Sequence, residues 1–134
     1  MYFNILKGAV AALALTVTPA LAEMWRCDLA VTRGFIQSPL LLSIDRKTGE
    51  GAVYDPIIAH YYEETPVRLS HLKLGKAEVT ARWRLEIIDR SSARSKVDYK
   101  ARLDTATGKI SVSANVIAYP ETKGARGTCE KIKD

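Results

Sequence analysis

Cysteine and histidine are each present only twice in this 134-residue chain, and after residue 22 no apolar run lasts long. Each scarcity removes a class of function. Cys27 and Cys129 have neither a CxxC spacing nor a neighbouring histidine, so a redox dithiol or a zinc ligand pair is not indicated. A spanning helix needs roughly 18 or more apolar residues, and nothing beyond residue 22 supplies them. The same stretch holds no GxSxG, no phosphate-binding glycine loop and no dinucleotide fingerprint. An enzyme would need a site assembled wholly by the fold, so none is expected, and neither is a cofactor or a metal.

What is present begins with an export signal. Met1 to Lys7 carries one positive charge, Gly8 to Val17 is apolar, and Ala20-Leu21-Ala22 has the small-x-small form of a cleavage site. Thr16, Thr18 and Pro19 interrupt the apolar run too early for a membrane anchor. A lipid anchor would want cysteine where Glu23 stands. The expectation is a cleaved segment 1–22 and a single domain over 23–134, in the periplasm or secreted. Losing 22 of 134 residues leaves 112, and losing one of 20 basic and none of 15 acidic residues leaves +4. That size gives one modest core, and that charge is no nucleic-acid signature. Both cysteines survive cleavage, and an oxidising compartment makes them a disulfide with only one possible connectivity. Closing a loop of about 100 residues contributes roughly 4–5 kcal/mol in the chain-entropy model.

The remaining pattern has a period of two, which marks strands with one buried face. Trp25, Cys27, Leu29 and Val31 share one phase, as do Val79, Ala81, Trp83, Leu85 and Ile87. Val97, Tyr99, Ala101 and Leu103, then Ile110, Val112, Ala114 and Val116, repeat it. A turn form occurs twice, Asp45-Arg46-Lys47-Thr48-Gly49 and Asp104-Thr105-Ala106-Thr107-Gly108. In each, Asp accepts backbone N–H bonds and Gly takes the left-handed conformation, which predicts hairpins of 39–45 with 51–55 and of 96–104 with 109–118. Over 66–74 the apolar phase switches between Leu69 and Leu72, and a bulge near Ser70 and His71 would account for it. The fold class is therefore all-β, a small antiparallel sandwich or barrel of about 6–8 strands with one short helical turn and one disulfide. That disulfide requires the first and last strands to be adjacent.

The densest cluster of reactive side chains is "DPIIAHYYEETP", residues 55–66. Asp55 then Pro56 reads as a capped helix start and Pro66 as a stop, although Ile and Tyr also suit a strand. On a helical turn Ile57, Ile58, Tyr61 and Tyr62 would cover the sheet while His60, Glu63 and Glu64 faced water. His60 and His71 with those carboxylates match no metal-ligand spacing, and paired Glu63 and Glu64 lack a partner for acid–base work.

The second candidate is a basic surface of Arg82, Arg84, Arg90, Arg94, Lys100 and Arg102, beside Lys96. Its strength depends on register. If Trp83 opposes Leu103, Glu86 faces Lys100 and Arg82 faces Asp104, leaving a salt-bridged face. If Trp83 opposes Ala101, Arg82 meets Arg102 and Arg84 meets Lys100, an expensive arrangement that would signal a functional patch. Electrostatics favours the first. Trp25, Trp83 and Tyr99 fall in the apolar phase, so no aromatic platform for nucleic acid can be singled out. The function expected is a binding or interaction module, for an unknown protein or an anionic envelope component, with inhibition of an envelope-directed enzyme as one version. A structural envelope component and an enzyme with a fold-assembled site are the alternatives.

Overall fold

The computed structural model describes residues 22–30, 34–88, 92–117 and 122–133. The segment read as an export signal, Val31 and Arg90 all lie outside them, apart from Ala22 at the signal's end. Among the described residues nine strands form, β1 Glu23–Leu29, β2 Leu40–Asp45, β3 Glu50–Tyr54, β4 Val67–Arg68, β5 His71–Leu74, β6 Glu78–Ile88, β7 Arg94–Asp104, β8 Lys109–Val116 and β9 Thr122–Lys133. One helix among the described residues, α1, covers Pro56–Tyr61 between β3 and β4. The fold is all-β and antiparallel, as the period of two required.

The repeated turn explains both tight hairpins. Asp45 Oδ1 accepts from Lys47 N–H at 2.9 Å and Thr48 N–H at 3.3 Å. Asp104 Oδ1 accepts from Ala106 N–H at 2.9 Å and Thr107 N–H at 3.1 Å. Gly49 and Gly108 sit at φ 75° and 79°, where a side chain would be strained. β2 then pairs with β3, and β7 with β8. The helix also starts as its sequence requires, with Asp55 Oδ1 accepting from Ile58 N–H at 2.8 Å and Pro56 in the first turn.

The strand order is β4-β3-β2-β1-β9-β8-β7-β6-β5, so two strands adjacent in sequence occupy opposite edges. Laid flat, nine strands would separate those edges by about 38 Å at roughly 4.8 Å per step. Only Leu69 and Ser70 link β4 to β5, and three residue steps span at most about 11 Å. The sheet must curl, and it forms a half-barrel. Leu69 N–H donates to the Gly51 carbonyl of β3, while Ser70 N–H donates to the Arg82 carbonyl of β6, each at 2.9 Å. The phase switch over 66–74 is therefore not a bulge. It is a crossing from one edge of the sheet to the other.

The concave side holds the core. Leu40, Leu42, Ile44, Val53, Val79, Trp83, Leu85, Val97 and Leu103 are nearly inaccessible, each contributing about 1.5–3 kcal/mol by burial. Ile57 and Ile58 of α1 complete the cover, but Tyr61 is 42 % exposed, so the helix presents fewer residues to the sheet than expected. Within six residues, Ile57 and Ile58 are the two that the helix buries. Tyr62 takes over beyond the helix, its hydroxyl accepting from Glu86 N–H at 2.8 Å. Tyr99 donates its hydroxyl to the Phe35 carbonyl at 2.6 Å and stacks on the directly opposed Trp83, with ring centroids 5.2 Å apart.

Strand β9 is the exception to this packing. Of its described side chains only Ala125 is buried. Gly127 lies where a Cβ would run into the Asp28 carbonyl oxygen of β1. The β1–β9 seam is thus a close backbone approach to which β1 brings the buried Trp25, Cys27 and Leu29 and β9 little apolar cover. The Cys27–Cys129 disulfide joins it, between directly opposed residues 102 positions apart in sequence. By holding the two ends of the domain in neighbouring strands, the disulfide offsets what β9 lacks in burial.

Candidate anion-binding site

Register decides the charge pattern on the convex side. Trp83 opposes Tyr99, so neither register weighed from the sequence is the one adopted. Stacking of the Trp83 and Tyr99 rings and the matched lengths of β6 and β7 supply the physical reason. One consequence is favourable. Arg84 faces Asp98 and binds it through two contacts, Nε to Oδ1 at 2.6 Å and Nη2 to Oδ2 at 3.0 Å. The Arg84 bond first, then its charge and that of Arg82, outweigh desolvation and hold the Asp98 carboxyl below its ordinary range. Arg94 likewise reaches Glu86 at 3.0 Å.

The other consequence is unfavourable. Arg82 stands directly opposite Lys100, an arrangement in which like charges destabilise. Arg102 lies two residues along the same face, and its charge is the largest influence lowering the Lys100 ammonium from its usual value. Partial burial and Arg82 add to that lowering, and only Glu78 opposes it. Among the described residues, no ion pair includes Arg82, Lys100, Arg102 or Arg126.

Continuing across the sheet, Arg102 pairs with Ser111 and Ser111 with Arg126. Lys100 pairs with Ser113 and Ser113 with Gly124. Residues paired across antiparallel strands share a face. Small residues on β8 and β9 thus lie between a wall of Lys100 and Arg102 and a wall of Arg126. The result is a valley of about 590 Å³ with no carboxylate in its lining. Gly124 belongs to its floor, and a Cβ there would meet only the Val112 carbonyl oxygen at 3.6 Å.

Of the residues singled out from the sequence, Lys100 and Arg102 come together at this valley, while Arg82 opposes Lys100 from outside its lining. Arg84 and Arg94 belong to the neutralised end of the same hairpin, and Arg90 lies outside the described residues. The sequence reading missed Arg126, Ser111, Ser113 and Gly124. Ser111 and Ser113 were visible as the polar phase of a strand, but nothing marked Arg126, because "TKGARGTCEKIK" has two glycines and no apolar alternation.

The other candidate cluster disperses. His60, Glu63 and Glu64 are exposed at the end of α1, while His71 is exposed on β5 opposite Arg82. No group of three or more His, Cys, Asp or Glu that could hold a metal occurs among the described residues. No helix among them is long and apolar enough to cross a membrane. A second hollow of about 440 Å³ lies across β1–β3, with Met24, Leu41, Tyr54 and Pro66 in its lining and Glu64 as its one charged residue. Comparison with family models, curated proteins and solved structures finds no match for this chain.

Proposed function

We propose that the protein is an exported binding module, working in the periplasm or outside the cell, that holds an anionic envelope component in the valley on β7–β9. The observation that carries this reading is the group of Lys100, Arg102 and Arg126, none of them in an ion pair among the described residues, around a small-residue floor. Like charges directly opposed on a sheet cost stability, and an anion between them turns that cost into affinity. The disulfide supports an oxidising compartment, and the apolar stretch before Ala22 supports export.

The test is retention of the oxidised 23–134 chain on a phosphocellulose column under a salt gradient. Lys100→Ser and Arg102→Ser should each elute at clearly lower salt than Arg94→Ser, although all three remove one positive charge. Equal shifts for the three variants, or no retention of the parent chain, would overturn the reading.

A further inference from the structure

Resting on that reading, we infer that the valley takes a ligand with two phosphate-type groups flanking a hydroxylated spacer, the chemistry of a bisphosphorylated sugar. Arg102, Ser111 and Arg126 form one row across three adjacent strands. Two strand steps place the two arginine Cα atoms about 10 Å apart with the serine between them. Cations thus occupy two walls and do not form a single cluster. Lys100 and Arg102 line the first wall, and Arg126 stands at the second.

The space between the walls selects the spacer. At about 590 Å³ the valley has the size of a small-molecule site, well beyond one oxyanion. Ser111 and Ser113 can each donate and accept hydrogen bonds, which suits sugar hydroxyls. No aromatic side chain lines the valley, and Trp25, Trp83 and Tyr99 are all buried. The ring is therefore held by hydrogen bonds and not by stacking. Arginine forks at both ends match phosphate oxygens better than single carboxylates.

Isothermal titration of the oxidised chain at fixed ionic strength separates the possibilities, with fructose 1,6-bisphosphate, fructose 6-phosphate and inorganic phosphate as probes. The bisphosphate should bind about tenfold or more tightly than either monophosphate, as one added charge-assisted contact implies. Arg126→Ser should erase that difference while leaving fructose 6-phosphate within about twofold of the parent. A Ser111→Ala/Ser113→Ala pair should weaken fructose 6-phosphate but not inorganic phosphate. A glycolipid headgroup and a soluble sugar share this chemistry. Co-sedimentation with phosphatidylcholine vesicles carrying a bisphosphorylated glycolipid, beside titration with the soluble probe, shows which source is used, and binding in either arm supports the inference. Equal affinity for mono- and bisphosphate, with Lys100→Ser still eluting from phosphocellulose at lower salt than Arg94→Ser, would overturn the two-phosphate inference alone. Failure of every phosphate probe together with unaltered retention would remove the underlying reading too.

Discussion

The outer face of the β6–β7 ladder mixes cations with carboxylates and ends on the directly opposed Glu78 and Asp104, yet two stretches of it behave oppositely. Toward the β6–β7 connection, Arg84 grips Asp98 and Arg94 reaches Glu86. Two residues further along, Arg82 opposes Lys100, and Arg102 looks across Ser111 to Arg126. Composition is similar in the two stretches; the strand register decides which cations meet a carboxylate directly across the ladder and which meet another cation. The lesson is that a count of arginines and lysines identifies neither, whereas the identity of the directly opposed residue identifies both.

The largest effect should come from removing charge on one side of the division. A Lys100→Ser/Arg102→Ser variant should lose anion affinity by about 100-fold, or about tenfold per cation. Arg84→Ser should change it less than about threefold, since its charge is already engaged by Asp98. Titration calorimetry reads both, and equal losses would break the comparison. A steric change should follow in size. Gly124→Val fills the floor without altering net charge or forcing a backbone clash, and should weaken binding several-fold while thermal unfolding stays at or above the parent temperature.

Stability offers a smaller effect of opposite sign in the two stretches. Lys100→Glu places a carboxylate opposite Arg82 and should raise the unfolding midpoint slightly, while Asp98→Lys should lower it. Urea midpoints check the pair, and a common sign would show that register does not govern this face. The smallest effect is in pH dependence. The Asp98 carboxyl is held below its ordinary range, so its contribution is complete above the ordinary carboxylate pKa and is lost as pH falls through the lowered value. Removing Arg84 should flatten that acid limb. Lys100 is lowered chiefly by Arg102, so anion affinity should begin to decline at a lower pH than an isolated surface lysine would give. In Arg102→Ser that decline should move to higher pH.

Much of the scaffold was legible because its signals are local. The two Asp–Gly turns, the Asp55-Pro56 helix start and the alternation of β6, β7 and β8 each depend on neighbours a few residues apart. The disulfide was legible from compartment and count. The register of β6 against β7 was not, because alternation fixes which face a residue occupies and is unchanged by a slip of two residues. Electrostatic economy alone favoured Arg82 facing Asp104, and it lost to stacking between Trp83 and Tyr99. The crossing at Leu69 and Ser70 was hidden for a related reason, since a change of phase looks the same whether a strand bulges or changes partners. Arg126 escaped because β9 is held by backbone pairing and the Cys27–Cys129 bridge, and so carries no apolar pattern to read.

A titration of the oxidised chain with inorganic pyrophosphate, followed through backbone amide chemical shifts, tests the division of this surface most directly. The account expects saturable shifts at Lys100, Arg102, Ser111, Ser113 and Arg126 and little change at Arg84, Arg94 and Asp98. Shifts centred on Arg84 and Arg94, or spread evenly over every basic residue of the convex face, would contradict it.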